Sequence, residues 1–153
     1  MRTPGYPAFI AVIYGITRSL FAVSVIQILL SAFSIVLLYK IAKRFLSEWG
    51  SRIAAGLLTI EPSSVFYAGI ILSDNLFVFL FLAVIWIFLN HKDNPAYWKM
   101  LVGGIVLGFA TLIRPIIQFL PIVFAALLFF QFRLFSKYLW KYIGYFLIGF
   151  FLI

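Results

Sequence analysis

The sequence predicts an all-α, polytopic integral membrane helix bundle, a single transmembrane domain over residues 1–153. Three observations carry that expectation. Hydrophobic residues make up 65% of the chain and charged residues 10%, where soluble domains carry roughly a quarter charged residues. Mean hydropathy is +1.16, and nineteen Phe, eight Tyr and four Trp suit helices that face lipid with aromatics at the interfaces. The basic residues stand in small groups between apolar runs, the spacing that membrane topology produces.

The same numbers exclude several classes. No soluble core of this length hides so much apolar surface. The net charge of +8 forms no continuous basic patch, so no nucleic-acid partner is expected. The chain has no Cys, which removes disulfides, thiolate metal sites and Cys nucleophiles.

Each element follows in order. In "MRTPGYPAFI" Pro4 and Pro7 break the backbone before the apolar run begins, as at a membrane surface and unlike a secretory signal. Pro7 to Leu20 is apolar but short and interrupted by Arg18, which predicts a juxtamembrane helix lying in the outer interface. The alternative is one long tilted helix over 7–39. Leu20 to Tyr39 has the length of one span, about 20 residues, closed by Lys40, Lys43 and Arg44. Ile53 to Leu89 contains no Lys or Arg and is too long for one helix, so it reads as a hairpin. Pro62, Gly69 and Ser73-Asp74-Asn75 place its turn in the 62–75 region. Met100 to Ile113 is a fourth span ending at Arg114-Pro115, and Ile116 to Phe132 a fifth closed by Arg133 and Lys137. A sixth begins near Tyr142 and is still running at Ile153. The total is about five to six transmembrane helices plus the outer juxtamembrane helix.

Orientation follows from the placement of Lys and Arg. With Arg2 outside, alternating spans put Lys40, Lys43, Arg44, Arg52, Lys92, Lys99, Arg133, Lys137 and Lys141 on the cytoplasmic side, nine against three (Arg2, Arg18 and Arg114). A multi-pass protein of the plasma (inner) membrane is expected, with Arg2, Arg114, Asp74 and Glu61 in its outer, periplasmic-facing half. Glu48 and Asp93 fall in cytoplasmic loops, where pairing with Lys and Arg accounts for them.

The exceptions to topology are the candidate site. Glu61 would lie roughly 15 Å into its helix, where an ionised carboxylate costs about 2.5–3.5 kcal/mol. It reads either as a protonated or hydrogen-bonded residue at the Pro62 break or as a functional group. Asp74 opens "SDNLFVFLFLAV", and the plain reading is a helix N-cap, a role Ser73 fills as well. Arg114 in "GFATLIRPIIQFLP" reads either as a snorkelling side chain or as a bidentate phosphate ligand. Together with Tyr6 and Tyr67, these acids and bases at one face suit an anionic lipid headgroup. Gly104 and Gly108 form a GxxxG pair that signals close helix packing. Gln27 and Gln118 read as interhelical hydrogen-bond partners. His91 is the single histidine, with no companion for a metal, so no metal site is expected. There is no phosphate-cradling glycine loop, nucleotide fingerprint or hydrolase triad.

"RTPGYPAFIAVIYG", "PSSVFYAGIILSDNLFVFLFLAV" and "GGIVLGFATLIRPIIQFLP" occur in this order, with comparable spacing, in a known superfamily. The chain resembles the polytopic C-type (GT-C) glycosyltransferases, specifically the protein-mannosyltransferase and aminoarabinose-transferase relatives, including the RgtA-like domain. The resemblance implies transfer of a hexosyl or pentosyl group from a polyprenyl-phosphate-linked sugar to a lipid, protein or polysaccharide acceptor on the outer face. It implies no nucleotide and no cofactor, with membrane lipids as surroundings. Arg2 to Pro7, Tyr6 included, match the family's outer-loop motif. Asp74 matches an acidic position, usually Glu, at the top of the span after "YAG". Arg114 matches the family's RP motif, expected near the carrier phosphate. Glu61 stands where a neutral residue is expected, and remains a candidate on its chemistry alone.

One departure bears on catalysis. In the family a first transmembrane helix and an outer-loop Asp or Glu acting as general base precede this motif, whereas here no acidic residue precedes Glu48. The resemblance therefore puts the family's general base upstream of Met1 and names no catalytic residue within the chain. The expectation is an internal piece that lacks the catalytic acid and does not turn over alone. Two rival readings remain, a transporter or flippase subunit for an anionic lipid and a non-catalytic membrane partner of a larger enzyme. The nearly featureless inner halves of the spans weigh against transport.

Overall fold

A computed structural model of the chain describes residues 4–60, 73–93, 96–131 and 137–153. These form seven α-helices: α1 (Gly5–Thr17), α2 (Leu20–Ala42), α3 (Glu48–Ile60), α4 (Ser73–Asp93), α5 (Tyr97–Ile113), α6 (Leu120–Gln131) and α7 (Lys137–Phe151). A 3₁₀ turn, Pro115–Ile117, joins α5 to α6. No strand occurs among the described residues, so the all-α membrane bundle is the observed architecture.

The α1–α2 break decides between the two readings of the N-terminal run. Arg18 caps α1 with φ 50° and ψ 26°, the left-handed conformation that ends a helix when its amide turns back to a preceding carbonyl. Its N–H donates to Tyr14 O at 2.7 Å, and Ser19 is extended before α2 begins. The single tilted helix over 7–39 is thus replaced by two helices, as the interruption by Arg18 suggested. The turn expected between 62 and 75 falls mostly outside the described residues.

Helices α2 and α4 are long and apolar enough to cross a membrane, and only 17% and 22% of their apolar windows are buried inside the protein. A core helix of a soluble protein would be mostly buried. Instead α2 leaves Phe21, Ile28, Leu29 and Phe33 more than half exposed, a surface that suits lipid and not water. Helix α5, at 17 residues, measures about 25 Å, a little under the ~30 Å hydrocarbon thickness. Helices α1 and α5 and the 115–127 stretch are shorter apolar helices. Two of the five to six expected spans therefore meet the length requirement by themselves among the described residues.

Register follows from the contacts. Helices α2 and α4 run parallel: Gln27, early in α2, reaches the start of α4 through Tyr6, which feels the Asp74 charge, while Lys40, near the end of α2, lies 5.9 Å over the Trp86 ring late in α4. Helix α5 returns antiparallel to α4, since Asp74 at the start of α4 meets Arg114 at the end of α5. Helices α5 and α7 run parallel and touch at their backbones, where a Cβ at Gly104 or Gly149 would strike the facing main chain. The missing side chains at the GxxxG pair are what permit this approach. Around it sits the core of Val84, Phe88, Met100, Leu107, Ala110, Phe124, Tyr142 and Phe146. Tilted ring pairs Phe88–Phe124 and Phe124–Phe146, with centroids 5.0 and 6.0 Å apart, knit α4, α6 and α7 together.

Candidate functional site

Pro115 builds the central position. A residue before proline is pushed out of the helical region, and Arg114 has φ −136° and ψ 106°. Helix α5 stops there, its last turn closed by the Arg114 N–H donating to Ala110 O at 2.9 Å. The guanidinium therefore leaves from the carbonyl end of α5, where the helix dipole favours a cation. Asp74 lies in the first turn of α4, where the dipole favours an anion. Antiparallel packing brings these two termini together, and Arg114 Nη2 donates to Asp74 Oδ1. The guanidinium also lies over Phe77, 5.3 Å from the ring centroid. Phe77 is one turn along α4 from Asp74, so one helix face supplies both an anion and an aromatic platform.

Tyr6 joins this layer from α1. Gly5 lies against the backbone of Leu112: a Cβ there would come within 2.7 Å of the Leu112 carbonyl. This close approach holds the first turn of α1 beside the last turn of α5. Tyr6 Oη accepts a hydrogen bond from Gln27 Nε2 at 2.8 Å, and Gln27 is buried, so the role read for Gln27 is the observed one. The Asp74 carboxylate is near enough to act electrostatically on the Tyr6 phenol.

Direct contacts join these groups: Gln27 with Tyr6, Tyr6 with the Asp74 charge, and Asp74 with Arg114. Gln27, Tyr6, Asp74 and Arg114 thus form one layer.

Of the residues singled out from the sequence, Asp74, Arg114 and Tyr6 come together. Arg2 and Glu61, and Tyr67 with them, lie outside the described residues. Arg18 is exposed at the far end of α1. Phe77 and Gly5 were not anticipated. Phe77 had a signal in its spacing of three from Asp74, whereas the Gly5–Leu112 contact spans most of the chain and left none.

The Arg114–Asp74 pair is about half exposed on both sides, 46% and 47%. Pairs of that exposure contribute at most about 1 kcal/mol, so this one orients the guanidinium without locking it. Among the described residues no group of three or more His, Cys, Asp or Glu is placed to hold a metal. What the layer offers is an oriented, accessible guanidinium with a carboxylate, a phenol and an aromatic face around it.

The sequence model of the dolichyl-phosphate-mannose-protein mannosyltransferase family matches residues 1–153. No curated protein and no solved structure matches the chain. The match covers the segments whose motifs carried the resemblance, and the chain belongs to the dolichyl-phosphate-mannose-protein mannosyltransferase family, a family of membrane glycosyltransferases.

Proposed function

We propose that this chain forms the donor-phosphate end of a membrane glycosyltransferase that takes its sugar from a polyprenyl-phosphate carrier and transfers it at the outer face of the membrane. The observation that carries the reading is the Arg114 guanidinium, held at the end of α5 by Pro115 and only weakly by Asp74. Arginine presents paired donors that match a phosphate. A bound phosphate exchanges the half-exposed carboxylate partner for an anion with more acceptor oxygens. As the bond from the anomeric carbon to the carrier oxygen breaks, charge builds on the departing phosphate, and a preorganised guanidinium stabilises that charge more than the ground state.

Asp74 is the positioning partner in this account. It keeps the guanidinium aimed into the layer before donor arrives and disfavours a second carboxylate there. Tyr6, fixed by Gln27, supplies a hydroxyl and a flat face next to the sugar-phosphate junction. Arg2 belongs with the site on the strength of the "RTPGYP" motif, and Glu61 on its chemistry. A carboxylate general base activating the acceptor hydroxyl completes an inverting transfer.

The test is an Arg114→Ala variant of the native-length protein, assayed for sugar transfer from a polyprenyl-phosphate-linked donor alongside its membrane insertion. Loss of transfer with normal insertion is the expected result. Undiminished transfer removes Arg114 from the site.

A further inference from the structure

We propose that the opposite end of the bundle, at the α2–α3 turn and the last turns of α4, binds the anionic headgroup of a glycerophospholipid in the leaflet it faces. The residues there go beyond what topology requires. Four cations, Lys40, Lys43, Arg44 and Arg52, each lie over an aromatic ring: Lys40 and Arg44 at 5.9 and 5.2 Å from Trp86, Lys43 at 5.8 Å from Tyr39, and Arg52 at 5.6 Å from Trp49. Snorkelling side chains need no such partners; rings that hold cations in place reduce the ordering cost of binding an anion.

One carboxylate organises the turn. Glu48 bridges Lys43 at 3.0 Å and Arg52 at 3.3 Å, and accepts from Tyr39 Oη at 2.5 Å. Among the described side chains, four cations stand at this turn with one acid, so the cluster keeps a net positive charge. Beside it Phe45 and Trp49 are 71% and 74% exposed, the apolar partners that a phospholipid's upper acyl chain and glycerol meet at the interface. Paired charge and exposed aromatic surface fit an amphiphilic anion better than a soluble one.

The distribution of tryptophan strengthens the case and supplies the probe. Trp49 and Trp98 stand in the first turns of α3 and α5, Trp140 in the first turn of α7, and Trp86 in the last two turns of α4. All four tryptophans of the chain therefore lie at this end, and none at the end that holds Arg114.

The purified protein, with Trp98 and Trp140 replaced by Phe so that emission comes from Trp49 and Trp86, is reconstituted in vesicles of phosphatidylglycerol and phosphatidylcholine. One lipid at a time carries bromine near the headgroup, and quenching gives the relative binding constant. A preference for phosphatidylglycerol of about fivefold is expected, the ratio that about 1 kcal/mol produces. It falls to about one in the Lys40→Gln, Lys43→Gln, Arg52→Gln variant. Equal quenching by the two lipids overturns the proposal, as does a preference that survives the triple substitution. Where the variant fails to insert, salt decides on the parent protein. A preference lost in about 0.5 M NaCl supports electrostatic binding, and one unaffected by it refutes the assignment. Sugar transfer is not read in this experiment, so its outcome is independent of the donor-phosphate proposal.

Discussion

Replacing Gly104 by alanine adds one methyl group where two helix backbones touch. A Cβ at Gly104 would overlap the Phe146 carbonyl oxygen and stand 2.9 Å from the Phe150 amide nitrogen. Ordinary contact for such an atom begins at 3.4 Å, so α5 and α7 must part by at least about 0.5 Å at Phe150 and further at Phe146. Both obstacles are main chain, and no rotamer change relieves them. Separation strips packing from Leu107 and Phe146, 0% and 1% exposed, and overpacking of this kind costs about 1–3 kcal/mol. Two neighbours serve as controls. A Cβ at Gly103 meets only Ile87 Cγ2 at 3.4 Å and Phe146 Cε2 at 4.0 Å, and one at Gly144 meets nothing within 4 Å. The assay is unfolding of the purified protein in mixed micelles titrated with dodecyl sulfate and followed by circular dichroism. Gly104→Ala is expected to unfold at clearly lower detergent fraction, while Gly103→Ala and Gly144→Ala stay within about 0.5 kcal/mol of the parent. Equal midpoints for Gly104→Ala and Gly144→Ala would refute the close α5–α7 contact.

Three further perturbations separate the ends of the molecule. Gly5→Ala pushes the first turn of α1 off the Leu112 backbone; sugar transfer should fall severalfold while unfolding shifts by only about 1 kcal/mol, and a variant with full activity contradicts the placement of Tyr6. Asp74→Asn removes an ion pair that is half exposed, so stability should change by no more than about 1 kcal/mol in the same titration; a much larger loss would mean that the pair is buried. At the other end, the Tyr39 hydrogen bond, with Lys43 and Arg52 behind it, holds the Glu48 carboxyl down at about 2 against its ordinary 4.5. A depressed carboxylate stabilises the fold above its ordinary value and loses that contribution as pH falls from 4.5 towards 2. The unfolding midpoint should therefore drop on acidification through that window, and less so in Glu48→Gln; identical acid profiles would contradict the bridge.

The composition and charge spacing made the bundle legible, because a membrane imposes length, hydropathy and sidedness on every segment. Local punctuation was legible as well. Arg18 divides α1 from α2 and Arg114-Pro115 ends α5, each for a backbone reason acting within a residue or two. What the sequence hid was pairing across distance. Arg114 and Asp74 stand 40 residues apart, and each has an adequate local explanation, snorkelling for one and capping for the other. Only the antiparallel packing of α4 and α5 makes them partners. The place of Tyr6 was hidden similarly, since it depends on Gly5 touching Leu112. The GxxxG pair announced a close helix contact without naming α7 as the partner, because Gly149, the reciprocal gap, lies far along the chain beyond α6.

The central claim, that Arg114 receives the carrier phosphate, is tested most directly by binding. The native-length protein and its Arg114→Gln variant are titrated with a polyprenyl phosphate bearing no sugar, so that neither acceptor nor chemistry enters the result. Loss of charge-assisted hydrogen bonds worth about 1.5–3 kcal/mol predicts a Kd weaker by about ten- to a hundredfold. An unchanged Kd in a variant that inserts and unfolds normally would place the phosphate elsewhere.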